Sequence, residues 1–500
     1  MGVRPVLALA ALSAIGATAP KMDADTAAWW RTTAQLSNDS MEGRDTGTAA
    51  YLRAAKLVAA KFEAAGLKPT GENGGWFQAV PMQEIRVERA AFAVGKRPLR
   101  FLHDLTISPD AGTPARISAP LYYGGYCGAG ALGGARGAIV ICHGTHKARL
   151  PGAADRDKAV RAAGAIGMLS IADPGFTIEP PRWPFAYART VTHADQMPEA
   201  DRFLRMTLNA ASLGKLLAGS KRNGAALIAA GSAGKPLPSF RVRDRLTATI
   251  TIRQRDIASP NVLAMLPGSD PRLSDQAILL GAHLDGYGYG EPVGGDWLYN
   301  GTLDDAAYVA LLIRLAERRH GKQFQRPVVF AAWTGEEKGL LGSRWYVAHP
   351  TVPLSRIAGN INLDQLRPIF PLKLLTVHGL DDSSIGDDAR SVANGLGIAV
   401  QNDPEPERNL LRRTDHWPFM QAGVPATNFV FGYRPGTKSE QIYRQWYKTG
   451  YHKPQDDLKQ PMDFKAARDF NRFFYTLVER VADAPQSPAW KASSPLKPRP

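Results

Sequence analysis

Short apolar runs that end in acidic or otherwise polar residues set the rhythm of the second half of this chain. Ala277-Ile-Leu-Leu-Gly-Ala282 and Pro327-Val-Val-Phe-Ala-Ala-Trp333 are continuous rather than alternating, and the stretches Ala358 to Leu363 and Ala426 to Phe431 are strand-like. That is the pattern of strands buried on both faces. Between them lie helical patterns: an Ala- and Leu-rich stretch opening at Asp304-Asp305, another after Glu337, and one from Ser384 to Leu396. Leu372 to Val377 adds a strand, and Phe464 to Val481 closes the region as a helix with aromatic packing residues. Strands alternating with helices predict an α/β fold, a mostly parallel (mixed) sheet with helices on both faces.

Toward the N-terminus, residues 23–37 and 47–65 read as helices. In the second, Tyr51, Ala55, Val58, Phe62 and Ala65 recur at helical spacing and Gly66 ends the run. From about 115 to 250 the texture changes to short strand-like runs and Gly-rich turns, which predicts a separate, β-rich inserted module. Residues 485–500, rich in Pro, Ser and Lys, read as a disordered tail.

Composition adds bounds. Five hundred residues with 44% apolar and 21% charged positions are ordinary for a globular protein of two or three domains. The formal charge of +15 is spread out, and no nucleic-acid motif accompanies it, so solvated surface is its reading. The first 20 residues hold one Arg and a short apolar stretch ending in small residues, as in a secretory leader, so export to a periplasm or the medium is expected. No later segment has the length of a membrane span, so no transmembrane anchor is expected. Cys127 and Cys142 are the only cysteines, and whether they pair is open. Gly128-Ala-Gly-Ala-Leu-Gly133 imitates a dinucleotide fingerprint, but a strand follows where a phosphate-binding helix is required.

The polar residues at the strand ends carry the chemistry. His283 and Asp285 follow the first run, and residues two apart in extended chain face the same way. Asp285 is therefore placed to receive the second ring N–H of His283 and fix its tautomer. Asp304 and Asp305 open a helix, where an acidic cap is the plain alternative. Glu336 and Glu337 follow the second run, and at such a turn one neighbour can bind a metal while the other handles a proton. Asp364 ends a third run. Two histidines compete to complete the set: His416 in Thr414-Asp-His-Trp and His452 in Tyr451-His-Lys-Pro-Gln-Asp456. Each of these is unremarkable alone.

Taken in order, His-x-Asp, Asp-Asp-Ala, Gly-Glu-Glu, Asn-Leu-Asp, Thr-Asp-His and Tyr-His-x-Pro-x-Asp resemble the M28 family of dizinc peptidases over roughly 265 to 480. The resemblance implies that His283 and Asp364 bind one Zn(2+), that Glu337 and His452 bind the other, and that Asp304 bridges them. It further implies Glu336 as general acid/base, Tyr451 as an oxyanion donor, and Asp415 and His416 as supporting or substrate-facing groups. Met41-Glu-Gly-Arg44 and Gly66-Leu-Lys-Pro69 extend the likeness, so 21–114 joins 251–484 in one discontinuous catalytic domain. Ala138 to Cys142 and Gly167 to Ile171 in the insert are similar to a protease-associated domain. The expectation is an exported exopeptidase of peptide substrates, most simply an aminopeptidase. A carboxypeptidase, a glutaminyl cyclase and a non-catalytic relative are the alternatives. Ala307 and Tyr308 depart from the family's small polar and Gly positions, and side-chain preference and oligomeric state are not legible.

Overall fold

The computed structural model describes residues 22–196 and 200–498. The expected leader therefore lies outside the described residues. Two helices, α1 (Ala24–Ser37) and α2 (Ala49–Ala64), precede the first long strand, and both begin on side-chain caps, Asp23 and Thr48. The strands follow in chain order: β1 (Phe77–Val94), β2 (Leu105–Ile107), β3 (Arg116–Tyr123), β4 (Ile139–His143), β5 (Gly167–Ala172), β6 (Leu204–Asn209) and β7 (Phe240–Leu266). Then come β8 (Ala277–His283), β9 (Val328–Trp333), β10 (Ile357–Asn362), β11 (Leu374–His378), β12 (Ala399–Gln401) and β13 (Ala426–Phe431). The later helices are α3 (Ala153–Ala162), α4 (Ala307–Arg319), α5 (Leu341–Ala348), α6 (Ser384–Gly395), α7 (His416–Gln421) and α8 (Phe464–Asp483).

The strands join in the order β12-β11-β13-β10-β8-β9-β7-β3-β4-β5-β6-β2, with β1 paired along β7. Strands β8, β9, β10 and β13 run parallel; β7 is antiparallel to its neighbours, and β11 is antiparallel to β13 but parallel to β12. Alternate residues feed two layers. Ile278, Leu280 and Ala282 pack with Val328, Phe330 and Ala332 under α1, α2, α4 and α8. Leu279, Val329, Ala331 and Trp333 pack on the other side against Tyr346 of α5 and Phe419 of α7. Register decides what matters for function. His283 lies opposite Trp333, so β8 and β9 end level, while Asn362, the last residue of β10, lies opposite Gly281, two residues earlier, and Asp364 follows it by the same two residues.

Three expectations need correction. The second core starts earlier than 115: it runs from Val87 to Ile252, because β1 and β7 pair from Phe77 through Val94 and cross both cores with one register shift, between Thr251 and Ile252. Pro81 and Ser259-Pro260-Asn261 lie in that crossing, yet pairing continues through them. The tail is not disordered through the described residue 498. The Ser384 amide donates to the Ala489 carbonyl at 2.9 Å, Trp490 Nε1 donates to the Gly423 carbonyl at 2.7 Å, and Trp490 and Leu496 pack on the core. Two apolar anchors outweigh the polar composition there. The helix expected at Asp304 begins at Ala307, as described below. The Gly128–Gly133 stretch is followed by β4 with no intervening helix, which excludes the dinucleotide reading. Among the described residues no helix is long and apolar enough to cross a membrane.

Candidate metal centre

His283 ends β8, and its amide donates to Asp305 Oδ2 at 3.2 Å. Its ring Nδ1 lies 3.0 Å from the backbone carbonyl of Asp285 and 3.8 Å from that residue's carboxylate. The expected carboxylate–imidazole hydrogen bond is therefore replaced by a backbone one, which still fixes Nε2 as the outward nitrogen. The reason is that β8 ends at His283, so the strand geometry that would align the two side chains stops there. The Asp285 carboxylate turns instead to the Gly335–Glu337 turn. It accepts from the amides of Glu336 (3.0 Å) and Glu337 (3.3 Å) and from Thr46 Oγ1 (3.0 Å).

Asp304 sits in a wide turn, Thr302–Ala306, where φ/ψ of −126°/76° at Asp304 and −138°/27° at Asp305 are not helical. Its Oδ2 lies 3.4 Å from Arg367 Nη2, and both of its oxygens face the histidines of the centre. The turn is held from below. The buried Asp456 carboxylate accepts from the amides of Leu303 (2.9 Å) and Asp304 (3.0 Å), and Arg367 Nη1 donates to the Leu303 carbonyl at 3.0 Å. Arg44 completes the frame: fully buried, it donates to the carbonyls of Leu36, Leu284, Asn300 and Gly301 at 2.8–2.9 Å. Gly43 beside it has φ +64°, and a Cβ there would come within 2.3 Å of the Tyr299 carbonyl. Ala307 and Tyr308, where the family pattern differs, are buried; Tyr308 packs edge-on against Phe470 of α8.

These frames bring five predicted side chains together. His283, Asp304 and Asp364 offer donor atoms within 4.8 Å of one another, and so do Asp304, Glu337 and His452. Asp304 belongs to both groups: its Oδ1 is 3.3 Å from His283 Nε2, and its Oδ2 is 3.3 Å from His452 Nε2. His452 Nε2 is also 3.3 Å from Glu337 Oε2. Glu336 lies alongside, with Oε2 3.9 Å from His283 Nε2.

The electrostatics point to a missing positive charge. His283 Nε2, Glu337 Oε1 and both oxygens of Asp364 are buried without a hydrogen-bond partner, a costly condition unless a cation answers them. Burial, reinforced by neighbouring carboxylates, pushes Glu336 and Glu337 well above the usual carboxylate range and Asp364 up to about 6. Burial works against Asp304 too, but the Arg367 guanidinium and the two histidines hold it well below its ordinary value. Burial drives His452 down to about 3, so its ring is neutral and free to ligate. Two imidazoles with three carboxylates form a nitrogen and oxygen set of the kind that suits zinc. The residues fit such an ion.

Residues 261–478 match the description Peptidase family M28. This stretch is a Peptidase family M28 domain. "Leupeptin-inactivating enzyme 1" of Streptomyces exfoliatus is 28% identical over 260 residues, covering 47% of this chain and 55% of that protein. This chain thus spans about half the length of that relative. Among solved structures, an aminopeptidase from Aneurinibacillus sp. strain AM-1 superposes with a TM-score of 0.61 at 18% identity over 91% of this chain and 94% of its own. A zinc aminopeptidase from Bacillus subtilis does so with 0.61 at 17%, over 95% and 98%. These likenesses show the fold alone.

Around these five side chains stand groups that the motifs did not mark. Tyr287 Oη and Arg182 Nη1 each lie 2.8 Å from His452 Nδ1, and Arg182 comes from the insert. Asp456 was visible within the last motif and Arg367 stands three residues after Asp364, but neither spacing revealed what it supports. Tyr451 is 2% exposed; its ring lies 3.9 Å from that of His452, and its hydroxyl accepts from Gln365 Nε2 at 3.4 Å. Asp415 accepts from Ser343 Oγ, and burial raises it to about 7. His416 is not brought into either donor group: Nδ1 meets Thr414 Oγ1, and its ring stacks 6.1 Å from His378. A second interdomain contact reaches the Glu336–Glu337 turn, where Lys338 Nζ donates to Tyr187 of the insert at 2.6 Å and pairs with Asp45 at 3.3 Å. Cys127 and Cys142 form a disulfide within the insert.

Proposed function

We propose that this chain is an exported two-zinc exopeptidase that removes residues from the amino ends of peptides. The observation that carries the reading is Asp304, one carboxylate shared by two complete groups of donors. Two zinc ions, one held by His283, Asp304 and Asp364 and the other by Asp304, Glu337 and His452, would supply Lewis acidity to the scissile carbonyl and acidify the attacking water. Glu336 takes the proton of that water and returns one to the leaving amine; its raised affinity for protons suits a group that must hold one between two transfers. Asp285 keeps Glu336 aimed by holding its amide. Tyr451 accepts from Gln365, which leaves its own proton for the developing oxyanion, and burial keeps that hydroxyl protonated.

Two donor groups sharing one carboxylate support a peptidase over the single-metal cyclase reading. The intact set of five ligands speaks against a non-catalytic relative. The disulfide supports export, because such bonds persist in oxidising compartments. The insert, similar to a protease-associated module, acts as a cover that restricts entry. In the test, Glu336→Gln retains its zinc while turnover of an amino-free peptide falls about 10²- to 10⁴-fold. Unchanged turnover removes Glu336 from its role. Equal cleavage of amino-blocked and amino-free peptides sinks the aminopeptidase assignment.

A further inference from the structure

The insert does more than cover the centre: it places one cation beside it. A loop of the insert spanning residues 176–187 crosses to the M28 domain, and a cleft of about 330 Å³ opens between the two, bounded by Arg182, Arg408, Arg413, Glu179, Tyr287 and His452. The cleft therefore touches the metal ligand His452 directly. Glu179 anchors the loop. Its carboxylate accepts from Arg413 at 2.8 and 3.0 Å and from Arg408 at 3.3 Å, and Arg408 is also paired with Glu405. Those two guanidiniums are thereby answered.

Arg182 is not. Its guanidinium lies 4.4 Å over the Tyr451 ring and reaches His452 Nδ1, yet among the described residues no carboxylate stands within ion-pair distance of it. The other carboxylates on the cleft wall are committed or remote from it in character. Asp173 is held by Ser232, the Gly175 amide and His143, and Glu407 is solvent-exposed. A guanidinium that lies over the Tyr451 ring and lines the cleft with no ion-pair partner is open to a ligand carboxylate, and its planar fork matches a carboxylate's two oxygens.

We infer that Arg182 recognises a carboxylate of the substrate, so that this chain prefers peptides bearing a negative charge within one residue of the cleaved bond. The inference rests on the peptidase reading above. Two sources supply that chemistry: an Asp or Glu side chain, or the terminal carboxylate of a dipeptide. The site would take either, and the cation would disfavour a Lys or Arg side chain in the same place.

The test compares kcat/KM on Ala-Ala-amide, Ala-Ala, Glu-Ala-amide and Ala-Glu-amide for the wild-type chain, Arg182→Gln and Arg182→Glu. Using the ratio of each acidic peptide to Ala-Ala-amide cancels any general effect of touching His452. The expected result is a ratio above about ten in the wild type, lost in Arg182→Gln and falling below one in Arg182→Glu. Preference for Ala-Ala alone identifies the terminal carboxylate; preference for either Glu peptide identifies a side chain. Ratios near one in the wild type, or ratios unchanged in both variants, overturn the inference. A binding arm stands apart from turnover: calorimetry with free glutamine, isoglutamine and glutamine amide on the full-length zinc-loaded chain. One of the first two binds at least about tenfold tighter than the amide, and Arg182→Gln abolishes the difference. Equal binding of all three overturns the inference even if every peptide resists hydrolysis, whereas hydrolysis of none with selective binding retained counts against the peptidase reading alone.

Discussion

Replacing Asp285 by Asn separates two roles that the sequence and the structure assign to it. The residue is fully buried and its two oxygens answer three donors, the amides of Glu336 and Glu337 and the hydroxyl of Thr46. An asparagine keeps one acceptor and substitutes an NH2 for the other. If its oxygen stays opposite Glu336, the NH2 faces the Glu337 amide and Thr46; if it turns round, the NH2 faces the Glu336 amide. Thr46 can rotate its hydroxyl to accept, but a backbone N–H cannot, so one amide of the catalytic turn is left against a donor in either orientation. Hydrogen bonds to a charged group contribute about 1.5–3 kcal/mol each, and an unsatisfied buried donor costs about 1–3 kcal/mol. With about 2–3 kcal/mol lost at the turn that aims Glu336, kcat falls about 30- to 150-fold. Steady-state kinetics at saturating zinc measure it, with metal content read in parallel. The ring of His283 should keep its orientation, since its partner is the Asp285 backbone carbonyl, which the substitution leaves in place. A variant with wild-type kcat but weakened zinc at the His283 group would refute this reasoning and restore the role inferred from spacing.

Two further outcomes follow from the charges. The Arg413 and Arg408 guanidiniums overcome burial and depress Glu179 from 4.5 to about 2, so its pairing contributes stability above pH 4.5 that fades as pH falls toward 2. The shift corresponds to about 3 kcal/mol, of which about 2 kcal/mol is gone by pH 3. The gap in unfolding free energy between the wild type and Glu179→Gln should narrow by that amount between pH 6 and pH 3, and a constant gap in denaturant titrations would contradict the assignment. Chelation should destabilise the M28 domain, because it strips the counter-charge from Glu337 and Asp364; at a thousandfold excess of zinc over its Kd the linkage is about 4 kcal/mol, or about 8–16 °C in Tm by scanning calorimetry. Identical melting of loaded and stripped protein would remove the cation from the centre.

Most of the α/β unit was legible because its information is local. A continuous apolar run such as 277–282 can bury both faces only inside a parallel sheet, and the helices α1, α2 and α8 carry their own periodicity, with caps at Asp23, Thr48 and Asp463. The order of motifs likewise fixed which residue types the chain could present to a cation. What lay beyond the sequence depends on through-space partners that no spacing encodes. Asp285 faces the 335–337 turn, Arg44 reaches carbonyls more than 200 residues away, Asp456 supports the turn of Asp304, and Arg182 arrives from a different core. The tail and the insert boundary were misread for the same reason: Trp490 and the β1–β7 ribbon acquire their meaning only from the surfaces they meet. Sequence alone decides which elements form and which donors exist; hydrogen-bond direction and the pairing of charges are set by distances between segments, and those come into being only when strands β8, β9 and β10 pair in register.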